Sequence, residues 1–350
     1  GNPFIQDSSR HYKRPEGQPP GSNFPFVSSD FDDQTWQSIN LPHDWGIEGP
    51  FQEGWDAKVG GGMGRLPSHG VAWYRRKLEL DSADSSRQIF LEVEGAMSYA
   101  MVWCNGQLVG GWPYGYNSWQ LNLTPYLKFG EENQLAIRID NPPHSARWYP
   151  GGGLYRNVWL IKTQAVHLAQ WGTYIRTQNV SADAATLLAS VRINNEGNTP
   201  AEVAINTAIY TLDQQGIKND QPELVLPTQT LSIPAGKQAQ IEQQATVEQP
   251  RLWEPLPAKA PQLYVAVHTL TVEGKVQDVY ETRFGIRSVE FSPSQGLLVN
   301  GNPVRIQGVN QHHDLGALGA AFNRRAAERQ LEVLRDMGCN AIRMAHNPPA

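Results

Sequence analysis

Cysteine is nearly absent from this sequence: of 350 residues only Cys104 and Cys339 carry a thiol, each within an apolar, strand-like stretch. Two such residues make no disulfide framework, and buried free thiols are expected. There is no Cys-x-x-Cys and no His-x-x-x-His, so no structural metal site is indicated. Long apolar runs are missing too; none approaches the roughly 20 residues of a membrane-crossing helix. No sign of charge is in excess. The net charge is −5 with a pI near 6.0, and Lys and Arg are scattered, so no basic stripe marks a nucleic-acid partner. Internal repeats and low-complexity tracts are likewise lacking. The first residue is Gly rather than Met, which reads as a processed or trimmed start with no leader left to interpret. Aromatic residues, by contrast, are plentiful, with eleven Trp and twelve Tyr. Each offers a flat apolar face and a polar tip, suited to a sugar ring and equally to a β-sandwich core.

A chain of this length suggests two or three domains. Residues 1 to about 30 are rich in Pro, Ser and Gly and read as an irregular, partly mobile lead-in. Short strands separated by turns follow: Val71–Leu80, Gln88–Val93, Tyr99–Cys104, Gln134–Asp140 and Asn157–Lys162. Asn105-Gly106 is a type I′ hairpin signal. Strands at this spacing with no helix between them predict an antiparallel sandwich or jelly roll. A second β-rich unit runs from about Ala165 to Arg287, with cleanly alternating strands at Ala184–Ile193, Ala201–Leu212, Gln238–Val247 and Gln262–Val272. Its roughly 120 residues fit an immunoglobulin-like sandwich, and the lack of a reactive constellation favours a spacer.

The end of the chain reads differently. Val304–Asp314 and Asn340–Pro349 each begin apolar and finish in polar, His-bearing residues, as inner strands of a (β/α) barrel do. Between them, Asn323–Gly338 carries Ala, Leu and Val at helical spacing and closes on a Gly. This predicts β1–α1–β2 of a barrel that needs about 250 residues, most of which the sequence does not contain.

Sandwich, immunoglobulin-like sandwich, then barrel is the domain order of glycoside hydrolase family 2, and the residues carry a resemblance to it. Gly308-Val309-Asn310-x-His312 resembles that family's first-strand motif. Asn340-Ala341-Ile342-Arg343-x-x-His346-x-Pro348 resembles its second-strand signature. Leu41-Pro42-His43-Asp44-Trp45, Trp73-Tyr74-Arg75 and the run from Arg147 to Val158 look like landmarks of its sugar-binding domain. Leu252-Trp253 followed by Pro261-x-Leu263-Tyr264 is similar to the end of its middle domain. Six blocks in the right order are specific where one alone is weak. The resemblance covers nearly all of residues 31–350. It implies a multidomain fold: a jelly-roll sugar-binding domain over 1–164, an immunoglobulin-like domain over 165–287, and the start of a TIM barrel over 288–350.

Within the family, the Pro-His-Asp-Trp and His-His-Asp variants look most like bacterial β-galactosidases. The expected activity is therefore removal of terminal β-galactosyl residues from a β-galactoside oligosaccharide. The alternatives are another family-2 activity, β-glucuronidase or β-mannosidase, and, from a different class, a non-catalytic carbohydrate-binding protein. No cofactor is required, a bound cation is left open, and a homo-oligomer is allowed. A periplasmic or extracellular compartment is favoured over the cytoplasm. The family uses two Glu about 5–5.5 Å apart, one as acid/base and one as nucleophile, and the resemblance puts both after Ala350. Glu290, Glu328 and Glu332 are not substitutes, since one precedes the barrel and two lie on an outer helix.

What remains is a sugar-positioning set. His312 and His346, just past the ends of the two barrel strands, are expected to contact sugar hydroxyls as their family counterparts do. Strand alternation sends His313 and Asp314 elsewhere. Arg343, on the second strand, needs carboxylate partners and is expected to tune the nucleophile. Asn347 replaces a Tyr of the signature. Asp44 and Arg147 lie on first-domain loops that reach the barrel mouth in relatives, and both are candidate substrate contacts. The run Gly60–Gly64 lacks the Lys-Ser/Thr ending of a phosphate loop and reads as a flexible loop.

Overall fold

The computed structural model describes residues 23–52, 66–142, 146, 148–257 and 261–347. The lead-in from Asn23 onward is packed rather than loose. Phe24, Phe26, Phe31 and Trp36 form an edge-to-face cluster with Trp73 and Trp103. Arg75, its side chain 2% exposed, reaches through that cluster. It donates to Asp33 Oδ2 at 2.8 Å and to the carbonyls of Phe26, Ser28 and Phe31. A buried guanidinium with this many acceptors fixes a segment that composition alone paints as mobile.

The first domain has seven strands: β1 (Gly70–Glu79), β2 (Gln88–Val93), β3 (Ala100–Cys104), β4 (Gln107–Trp112), β5 (Trp119–Asn122), β6 (Glu132–Asn141) and β7 (Val158–Thr163). They form two antiparallel sheets, ordered β1-β6-β3-β4 and β5-β2-β7. The β3–β4 turn has φ of 50° at Asn105 and 78° at Gly106, the two positive values a type I′ turn demands. Inward residues from both sheets, among them Leu91, Val93, Val102, Trp119, Ile137 and Ile139, make the core. Cys104 lies in it as a free thiol that burial pushes up to about 11. Cys339 is also free but only half-buried.

The second domain carries β8 (Val166–Gln178), β9 (Ala184–Asn195), β10 (Ala201–Thr211), β11 (Leu224–Val225), β12 (Gln229–Ile233), β13 (Lys237–Glu248), β14 (Tyr264–Val272) and β15 (Lys275–Phe284). Its sheets are β13-β9-β8 and β11-β10-β14-β15, with β12 also on β10. The alternation legible in the sequence is realised: Leu187, Ala189, Val191 and Ile193 of β9 all point in.

Two apolar clusters fill this sandwich, and a polar layer lies between them. Thr207 Oγ1 donates to Gln243 Oε1 at 2.6 Å and sits 2.9 Å from Nδ1 of the fully buried His268. Burial pushes His268 down to about 4. An unfolded His titrates near 6.5. Between those values the unfolded chain takes up a proton that the folded chain refuses. The stability is therefore full above pH 6.5 and falls as the pH drops toward 4, by about 3 kcal/mol across that window. The buried His167 is shifted in the same direction. Urea midpoints at pH 7 and pH 4.5 should differ accordingly, and His268→Leu should make the difference smaller.

A small sheet of β16 (Val289–Ser292), β17 (Gly296–Val299) and β18 (Asn302–Pro303) leads to β19 (Gly308–Gln311), α1 (Arg324–Asp336) and β20 (Ala341–Met344). β19 and β20 pair in parallel, Gly308 opposite Ala341 and Gln311 opposite Met344, as a β–α–β unit requires. Asn323 caps α1 by accepting from the Ala326 N–H at 2.9 Å, and Gly338 turns the chain out at φ 89°. The first barrel strand is shorter than the sequence predicts. Val304 N–H donates instead to Leu297 O, and the Asn340 side chain clips residues 305–307 by accepting from Gln307 N–H and donating to Arg305 O.

Candidate functional site

The site grows from the C-terminal ends of β19 and β20. His312 is the first residue past β19, and the next residue, His313, turns the opposite way. His313 Nε2 donates to Pro150 O at 3.1 Å, and its ring lies edge-on to Tyr116 and tilted against Tyr155. Burial holds it below the ordinary His range, so it is a neutral strut between barrel and sandwich. The His312 ring faces the other side, 5.2 Å from His346 and 6.1 Å from Trp148.

His346 follows β20 and has φ 76°, a left-handed value that costs a non-Gly residue energy and here aims the side chain. Its ring stacks on Trp148 with centroids 4.6 Å apart and planes 22° apart. Trp148 Nε1 donates to the Tyr116 hydroxyl at 3.0 Å. Burial pushes that phenol up to about 12, so it stays neutral and can accept. Asn347 is buried beside Tyr116. Two imidazoles and an indole thus cluster past the C-terminal ends of β19 and β20, groups able to hydrogen-bond hydroxyls and cover the apolar face of a ring. Arg343 stands apart from this trio. It is exposed on β20, and its Nη1 donates to Asn310 Oδ1 across the strand pair at 3.4 Å. Arg147 lies outside the described residues.

Asp44 is not on the site's surface. The expectation of a direct substrate contact meets a carboxylate only 1% exposed, with all its acceptor positions taken. Oδ1 accepts from Gly46 N–H and Gly152 N–H, both at 2.9 Å. Oδ2 accepts from the Tyr149 hydroxyl and from Ala320 N–H, both at 2.8 Å. The last bond crosses from the sandwich to the barrel. The triple glycine fits this arrangement: a Cβ on Gly152 would meet Trp45 at 2.5 Å and the Ser68 carbonyl at 2.7 Å. Phe322 N–H also donates to Tyr155 O at 2.8 Å. Asp44 therefore latches the domains and sets where Trp148 stands relative to His346. Asp44→Ala would leave three amides and a hydroxyl buried without a partner, and should destabilise the first domain by roughly 3–5 kcal/mol. Asp44→Asn, which keeps one acceptor oxygen, should cost about half as much. Thermal and urea unfolding measure both.

Three family models match successive parts of the chain. The galactose-binding domain-like model of glycosyl hydrolase 2 covers residues 67–150, the glycosyl hydrolases family 2 model 166–287, and that family's TIM barrel domain model 291–350. The chain belongs to glycosyl hydrolase family 2. Among curated relatives, beta-galactosidase BoGH2A of Bacteroides ovatus is 41% identical over 321 residues, covering 91% of this chain and 36% of that protein. A beta-glucuronidase of Formosa agariphila is 27% identical over 340 residues, covering 90% and 33%. Among solved structures, a family 2 member from Bacteroides cellulosilyticus superposes with a TM-score of 0.82 at 30% identity, covering 96% of this chain and 43% of that one. The chain thus spans about a third of the length of these curated family 2 relatives.

Trp148 and Tyr116 carry the site yet were assigned no part in it by sequence reading. The signal for Trp148 was present, since it stands next to Arg147 in a landmark block. Tyr116 had none, because its turn resembles any other Gly-Tyr loop.

Proposed function

We propose that this chain forms the sugar-positioning wall of a retaining β-galactosidase, whose acid/base and nucleophile Glu follow Ala350 in the polypeptide. The observation that carries the reading is the Trp148–His346 stack with His312 edge-on to it, at the C-terminal ends of parallel barrel strands. In TIM-barrel enzymes that face is the catalytic one. A non-reducing sugar seated there would have its hydroxyls near both imidazoles and one face against the indole. Arg343 would neutralise charge on the approaching nucleophile. Galactoside preference is supported by the 41% identity to a beta-galactosidase.

A β-glucuronidase is the second reading, favoured by relatives and structural neighbours of that name. The two differ in whether the site must take a carboxylate at the sugar's C6. Comparing kcat/KM for nitrophenyl β-galactoside, β-glucuronide and β-mannoside tests the proposal, with the enzyme that carries this chain and its whole barrel. The galactoside should lead. A glucuronide or mannoside ahead by tenfold overturns the assignment.

A further inference from the structure

The turn from Pro113 to Asn117 lies beside the Trp148–His346 pair and is held at four points. Tyr99 N–H donates to Pro113 O at 3.0 Å, and the Tyr155 hydroxyl donates to Gly115 O at 2.8 Å. Arg156 Nη1 donates to Tyr116 O at 2.8 Å, and Trp148 Nε1 to the Tyr116 hydroxyl at 3.0 Å. Gly115 also packs against the end of the Met97 side chain, which a Cβ there would have to displace. Four donors, one from Tyr99 and three from the stretch 148–156, make this turn a rigid ledge. Such fixing usually buries what it fixes, and it does so for Tyr116.

Tyr114, between these anchors, has the opposite fate. Its ring is 46% exposed and meets the edge of Tyr116 at 5.5 Å. The contacts run unbroken from His346 to Trp148, Tyr116 and Tyr114, so Tyr114 is the exposed end of an aromatic chain that begins at His346. An exposed aromatic on a pre-organised ledge loses little freedom when something flat and partly apolar settles on it. A pyranose ring presents such a face.

We propose that Tyr114 is a stacking platform for the second sugar of an oligosaccharide, the residue that leaves when the terminal sugar is cleaved. This rests on the glycosidase reading above and adds to it a residue that would hold the leaving sugar. The ledge holds the leaving sugar on the sandwich side, while His346 and His312 hold the sugar that is attacked.

The test uses the enzyme that carries this chain and its whole barrel. It compares the methyl glycoside of whichever sugar the enzyme hydrolyses best with a disaccharide that joins the same sugar to glucose. Tyr114→Ala should lower kcat/KM for the disaccharide about tenfold, the scale of one lost aromatic stack, with the methyl glycoside within twofold of wild type. Tyr114→Phe, which keeps the ring, should restore the disaccharide rate. Because the side chain is exposed, the melting temperature should hold in both variants. An equal fall for both substrates, or no change for either, overturns the platform. Failure of the glycosidase reading shows itself separately, as wild-type enzyme turning over no methyl glycoside, and it removes the platform with it.

Discussion

A polypeptide of residues 1–350 is expected to release no nitrophenol from nitrophenyl β-galactoside at any pH. Retaining hydrolysis needs two carboxyl groups about 5–5.5 Å apart, one to protonate the leaving oxygen and one to attack. Asp44, Glu290, Glu328 and Glu332 do not supply them. Both oxygens of Asp44 are saturated by protein donors. Glu328 and Glu332 lie on α1, paired with Arg324 and Arg325. Glu290 is exposed on β16, before the barrel strands begin. Positioning without a nucleophile leaves the glycosidic bond intact. The same polypeptide should also self-associate. Leu331 and Val333 of α1, Met337 at its C-terminal cap, and Ile342 and Met344 of β20 are exposed, an apolar set that a closed barrel would cover. Size-exclusion chromatography and a turnover assay on one preparation test both. Steady hydrolysis by the purified 350-residue chain would mean that it holds an acid and a nucleophile of its own.

Many strands with one face buried and the other wet were legible in the sequence, although the alternating β8 and β15 were not singled out. The predicted Gln88–Val93 coincides with β2, and Ala184–Ile193 falls two residues short of the end of β9. Alternation records burial directly, so these positions could be read without a partner strand. The short β5, β11 and β12 could not, because a strand of two to five residues contains too little of the period. The packed lead-in escaped for another reason. What orders residues 23–36 is Arg75, some forty positions downstream, and no local composition shows a long-range capping residue.

The site divides along the same line. His312 and His346 are strand-end residues, and a strand's end is a local feature. The opposite turn of His313 also follows from alternation. Asp44 is expected to contact substrate because it lies on a loop that reaches the barrel mouth in relatives. Its actual surroundings come from Tyr149, Gly152 and Ala320, which lie 105 to 276 positions away. Charge type predicts that a residue needs partners; it does not say whether they are sugar hydroxyls or backbone amides.

His346→Ala, in an enzyme with the complete barrel, should lower kcat/KM by roughly 10²–10³, the scale of one preorganised hydrogen bond lost from a transition state, about 3–4 kcal/mol. The loss should fall mainly on kcat, because hydrogen bonds to a sugar hydroxyl strengthen as the ring flattens toward an oxocarbenium ion. Stability should move little, since the ring is exposed and its stack on Trp148 is worth about 1 kcal/mol. The left-handed backbone at His346 sharpens the comparison. A residue at φ 76° is strained unless it is Gly, so His346→Gly relieves strain that Ala retains. His346→Gly should therefore unfold at a higher temperature than His346→Ala while being just as inactive. If activity instead followed melting temperature across wild type, Ala and Gly, the imidazole would be holding a loop, and the sugar-contact role assigned to it would be wrong.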